Sequence, residues 1–268
     1  ESYSCTSPVD PDTVCISEAT RSNTGYGNRL SVMVADIDQD STVELIAMLR
    51  NGQGIDVIDP VTMTVEHSLE ASFGDRSNTL MIAQLDGTGY LEIGYVRSDR
   101  KMEIFRHNGA VWESITSVDN AFPNVGTINN ITGLGAADYN GVVQSEVYMA
   151  NRIFSFAPDP SSTWACISMI MDGDTAINGG AKGSANYSTF SSVAIDILSA
   201  ADCGGDPECD GLELIAGYIV YSVDVNAGKI TVRRNLNDAG VGTFSDGQSV
   251  VADVNNDGLL DIYLANLD

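Results

Sequence analysis

Apolar and polar positions along this chain fall into a recurring order: an apolar run, an acidic or polar loop, then a second run that alternates. "VMVADIDQDSTVELIAML" starts at Val32, "LMIAQLDGTGYLEIGYV" at Leu80 and "LGAADYNGVVQSEVYMA" at Leu134. "VAIDILSAADCGGDPECDGLELIAG" starts at Val193 and "VVADVNNDGLLDIYLA" at Val250. The matching positions Asp36, Gln84, Asp138, Asp196 and Asp253 lie 48, 54, 58 and 57 residues apart. Spacing of this kind marks one supersecondary unit repeated about five times.

The remainder of each unit repeats as well. A third and a fourth run follow, as in "GIDVIDP" and "MTVEHSLEA" or "IVYSVDVNAG" and "KITVRRNL", with turn residues between them. Each run has strand length and period-two alternation shows in "VELIAML" and "KITVRR", while no long segment carries a helical stripe. Four short antiparallel strands in a unit of this size predict an all-β fold, a β-propeller of four-stranded blades.

Composition narrows the class. The 268 residues are 43% hydrophobic, enough for a sizeable core, and no stretch reaches the ~20 apolar residues of a membrane helix. Asp and Glu number 37 against 13 Lys and Arg, a formal charge of -24. That argues against nucleic acid and against an anionic membrane surface, both of which need clustered positive charge. Cys203 and Cys209 flank "GGDPE", and Cys5 and Cys15 bracket another Pro- and Asp-rich loop; two local disulfides are expected in an oxidising compartment. Cys166 is left as a buried thiol. Asn130-Ile131-Thr132 and Asn186-Tyr187-Ser188 match the N-glycosylation pattern.

The acidic loops carry the chemistry. A hard divalent cation takes six to eight oxygens, and a tight loop turns alternate side chains toward one centre. In the last unit the ligand positions are Asp253, Asn255, Asp257 and Asp261, with the Leu259 carbonyl, and Gly258 supplies the positive φ of the turn. In the first they are Asp36, Asp38, Asp40 and Glu44, with the Thr42 carbonyl, and Ser41 stands where the glycine would be. Both loops are expected to bind Ca2+. The middle loops are poorer. The second offers Asp86 and Glu92, and the third Asp138, Asn140 and Glu146, with Val142 at a ligand position. The fourth offers Asp196, Asp210 and Glu213 around an insertion that a disulfide would brace in place of a metal.

"ADxNxDGxxDI" between two strands resembles the FG-GAP or VCBS repeat, the blade of integrin α-subunit heads and of many secreted bacterial proteins. The resemblance spans residues 31–268 and implies a propeller whose inter-strand loops hold calcium. Residues 1–30, which include "TVCISEAT", form an N-terminal segment expected to supply a blade-closing strand. A five-bladed ring from this chain and a larger ring of about seven blades both stay open.

Catalytic signals are sparse. His67 and His107 fall in different units, and there is no GxSxG, HExxH, phosphate loop or catalytic Cys/His pair. The expected role is therefore an extracellular adhesion, recognition or surface-assembly module with a protein or glycan ligand on a loop face, rather than an enzyme. The alternative is a carbohydrate-active propeller, a lectin or a polysaccharide lyase, for which Tyr139, Tyr148 and Tyr218 do not discriminate.

Overall fold

The structure is a computed structural model that describes residues 32–49, 54–71, 80–97, 102–116, 134–158, 165–173, 192–240 and 247–266. The segment 1–30 with Cys5 and Cys15, and both sequons, lie outside the described residues. The chain is all-β, and its strands follow the repeat. The first sheet comprises β1 (Val32–Ala35), β2 (Glu44–Met48), β3 (Gly54–Asp59) and β4 (Thr64–Glu70). The second comprises β5 (Met81–Ala83), β6 (Glu92–Val96), β7 (Met102–His107) and β8 (Trp112–Thr116). The third holds β9 (Leu134–Ala137), β10 (Glu146–Met149), β11 (Arg152–Pro158) and β12 (Ala165–Asp172), and the fourth β13 (Val193–Ile195), β14 (Glu213–Ala216), β15 (Ile219–Asp224) and β16 (Lys229–Asn235). Within each sheet, neighbours in sequence pair antiparallel. A two-stranded sheet of β17 (Gly247–Ala252) and β18 (Asp261–Asn266) follows. This arrangement is compatible with a β-propeller.

Consecutive sheets pack face to face. Ile46, Met48 and Val57 of the first sheet share a core with Ile93, Tyr95 and Phe105 of the second. Met102 and Ile104, from the opposite face of the second sheet, pack with Val147, Met149 and Phe154 of the third. Ile153 and Met171 of the third then meet Leu214, Ile219 and Tyr221 of the fourth. A middle strand thus has neighbours on both faces, which is why β6 and β14 are apolar after their opening glutamates and buried along their length. The outer strand β4 is mostly exposed and keeps a polar alternation. The first strands β5, β9, β13 and β17 adjoin one another in turn.

Third and fourth strands share one irregularity. The register shifts between Val57 and Ile58, between Ile153 and Phe154, and between Val220 and Tyr221. Those are equivalent positions, because Ile58, Phe154 and Tyr221 each pair with the second residue of the neighbouring strand: Leu45, Val147 and Leu214. In the second sheet β7 and β8 pair without a shift, which leaves Arg106 directly opposite Glu113. A bulge at a fixed place twists the outer strand away in the other three sheets.

Candidate metal centre

Every β1–β2-type loop closes by the same contact. The acid that opens the second strand turns inward and accepts a backbone N–H from the residue after the loop's first position. Glu44 Oε2 accepts Ile37 N at 2.9 Å, Glu92 Oε2 accepts Leu85 N at 2.6 Å and Glu146 Oε2 accepts Tyr139 N at 3.0 Å. Glu213 Oε2 accepts Ile197 N at 2.9 Å across the longer fourth loop, and Asp261 Oδ2 accepts Val254 N at 3.2 Å. The four glutamates are buried, and in each case burial foremost raises the carboxyl above its usual range.

Loops of neighbouring sheets are also tied together. Leu91 N donates to Ile37 O at 3.4 Å and Ser145 N to Gln84 O at 2.8 Å, so the first three loops run side by side on one face. On the outer side of the first two sheets the rings of Tyr90, His107, Trp112 and His67 gather, with His107 and Trp112 centroids 5.2 Å apart. The sequence places the two histidines in different units without bringing them together; sheet-to-sheet packing sets their ring centroids 6.2 Å apart.

The first loop concentrates charge. Ligand oxygens of Asp36, Asp38 and Asp40 lie within 4.8 Å of one another, the one group of three or more His, Cys, Asp or Glu so placed among the described residues. The turn is held by Asp36 Oδ2 accepting Ser41 N at 3.1 Å, Asp38 Oδ1 accepting Asp40 N at 3.2 Å and Asp40 Oδ1 accepting Thr42 N at 2.7 Å. Gln39 and Ser41 take φ of 62° and 74°, a conformation that side chains with a Cβ disfavour. Asp36 Oδ1 is buried with no hydrogen-bond partner. No Lys or Arg among the described residues pairs with these acids, and Asp59 and Glu66 stand close by: Glu66 is pushed upward by burial first and then by Asp59, Asp38 and Asp40.

Other loops satisfy their acids differently. In the second, Asp86 Oδ1 accepts Thr88 N at 2.8 Å and Thr88 Oγ1 at 2.6 Å, while Oδ2 faces Arg106 Nη1 at 3.5 Å. In the third, Asp138 Oδ1 accepts Asn140, Gly141 and Val142 N–H groups, and Asn140 Nδ2 donates to Glu146 Oε1 at 2.6 Å. In the fourth, Cys203 and Cys209 form the expected disulfide. Asp210 caps Ala200 N at 2.7 Å and Asp196 is exposed. Arg233 reaches Asp206 at 2.8 Å and Glu208 at 2.9 Å, and Lys229 reaches Glu208 at 2.5 Å. In the last loop Asp253 accepts Asp257 N at 3.1 Å and Gly258 N at 2.9 Å, and Asp257 Oδ1 accepts Leu259 N at 2.8 Å. Gly258 takes φ of 85°, as the turn requires. Asn255 Nδ2 donates to Asp257 Oδ2 at 3.0 Å, so an amide nitrogen rather than an oxygen meets that acid.

Two features escape a reading of the loops alone: Arg106 on β7, and Lys229 with Arg233 on β16. The signal for Arg106 is the strand register. β6 pairs Ile93 with Phe105, so the next step sets Glu92 across from Arg106. The same step sets Glu44 across from Asp59 in the first sheet, while Glu213 pairs with Ser222 in the fourth.

No protein-family model matches this chain, and no curated protein does either. A search of solved structures finds a likeness to a lectin from Agrocybe aegerita, described as specifically recognising non-reducing terminal N-acetylglucosamine. Identity is 15% and the TM-score 0.48, over 87% of this chain and 59% of that one. The chain therefore spans less than two thirds of that protein's length.

Proposed function

We propose that this chain is a calcium-braced β-propeller acting as an extracellular recognition or assembly module, with a protein or glycan ligand bound across the face formed by its acidic loops. The observation that carries the reading is the convergence of Asp36, Asp38 and Asp40, with a buried, unpartnered Asp36 carboxylate oxygen and no cationic side chain among the described residues paired with them. Clustered carboxylates repel at this range even when partly screened, and a hard ion that accepts many oxygens removes the repulsion. Asp36, Asp38, Asp40 and the Thr42 carbonyl would hold it. Glu44 would complete the loop from inside, since its Oε2 already accepts a backbone donor. The loop of Asp253, Asn255, Asp257, Leu259 and Asp261 offers a second site once the Asn255 amide presents its oxygen. The Cys203–Cys209 disulfide accords with an oxidising compartment. No helix among the described residues is long and apolar enough to cross a membrane.

Thermal unfolding with and without a calcium chelator tests this. An ion present at 100 times its dissociation constant stabilises by about 2.7 kcal/mol, which for a chain of this size is a shift of several degrees. The double variant D38N/D40N should lose the shift assigned to the first loop. An identical melt in calcium and chelator would remove the proposed function.

A further inference from the structure

The second loop repeats the frame of the first but carries the opposite sign at one strand position. In both, the inward glutamate accepts the equivalent backbone N–H, and the aspartate at the third loop position accepts the N–H two residues on. Across from that glutamate the first sheet has Asp59, which is half-buried and spent on capping its own turn through Val61 N and Thr62 N. The second sheet has Arg106, half-buried, with Nη2 on Glu113 at 2.7 Å and Nη1 on Asp86 at 3.5 Å. The Asp86 side chain is 0% exposed and Glu92 is equally buried. Glu92 Oε2 takes Leu85 N, while Oε1 has no hydrogen-bond partner and the carboxyl lies against Asp86. Two buried acids in contact need a positive charge or a proton between them.

We infer that Arg106 is a resident cation, filling in the second loop the part a divalent ion fills in the first. The inference rests on the calcium reading of the first loop. Its guanidinium is permanently charged and fixed by the unshifted β7–β8 pairing opposite Glu113, so it neutralises Asp86 without any ion from solvent. Removing it uncovers two buried carboxylate oxygens, Asp86 Oδ2 and Glu92 Oε1, in a loop whose backbone already has the metal-binding shape.

The test compares the full chain with R106Q and R106K. Calcium stoichiometry is read by calorimetric titration after chelator removal, and melting is followed in calcium and in chelator. R106Q should bind one calcium ion more than the wild-type chain, and its gap between the two melting temperatures should widen by several degrees. R106K, which keeps the charge, should bind the wild-type number. In D86N/R106Q the additional ion should be lost and the melt should no longer depend on it. An R106Q variant that gains no ion and is equally destabilised or unfolded in both buffers overturns the inference, as does R106K behaving like R106Q. The calcium reading of the first loop fails separately. If wild type binds no ion and R106Q binds one, that reading falls and the role of Arg106 stands. If D38N/D40N removes an ion while R106Q adds none, the role of Arg106 falls alone.

Discussion

Glu44, Glu92, Glu146 and Glu213 open the second strand of their sheets and put one carboxyl oxygen on a backbone N–H of the loop. That contact fixes the entry of the loop, yet taking a carboxylate out of water favours its protonated form. Glu92 feels this most: burial, reinforced by the charge of Asp86 and opposed by the Leu85 N–H, carries it from 4.5 to about 8. A raised folded-state value means that the native state binds the proton more tightly than the unfolded chain. Its stabilising contribution is therefore complete below about pH 4.5 and is lost as pH rises through about 8. In calcium-free buffer the wild-type chain should lose stability across that window, by up to about 1.4 kcal/mol per pH unit for one whole proton. E92Q cannot titrate there and should show a flatter profile. Urea unfolding of both chains from pH 5 to pH 8 reads the difference, and parallel profiles would mean that Glu92 is ionised throughout.

At the scale of the element, the sheets were legible because their middle strands are covered on both faces and their outer strands on one. That difference is written directly as continuous runs such as "ELIAM" beside alternating ones such as "TVEHSLE". Loop chemistry was legible only in part. Spacing identifies Asp36, Asp38 and Asp40, which do converge, but gives no sign that Asp86 faces Arg106, because that contact depends on how β6 pairs with β7. It likewise misses that the insertion at 196–212 is anchored by β16, more than twenty residues downstream, through Arg233 on Glu208. The disulfide in this insertion spans a separation of six, so its chain-entropy contribution is about 2 kcal/mol. Arg233, Lys229 and the Asp210 cap remain when it is reduced. C203A/C209A should thus keep the fold, melt a few degrees lower and show faster amide exchange confined to residues 197–212. Exchange rising across β14 and β15 as well would mean that the bridge supports the sheet rather than the loop.

Across the whole molecule, two electrostatic effects act in the same direction and have to be separated. A formal charge of -24 makes the compact state repel itself, so any added salt should stabilise it by screening. A bound ion stabilises instead by site occupancy, at concentrations too low to alter the Debye length. The loops are joined from sheet to sheet by Leu91 N on Ile37 O and Ser145 N on Gln84 O, so ordering the first loop also holds its neighbours. Sodium chloride should consequently raise the melting temperature gradually, with no plateau tied to stoichiometry. Calcium should raise it steeply to saturation at far lower ionic strength. Magnesium at the same ionic strength should do less, because it demands a near-ideal octahedron and releases its water reluctantly, whereas a loop of carboxylates and a carbonyl offers irregular oxygens. Melting curves in matched ionic strengths of the three chlorides distinguish these outcomes. Superimposable calcium and magnesium curves would assign the effect to charge screening over the surface and leave the Asp36, Asp38 and Asp40 cluster without a specific ion.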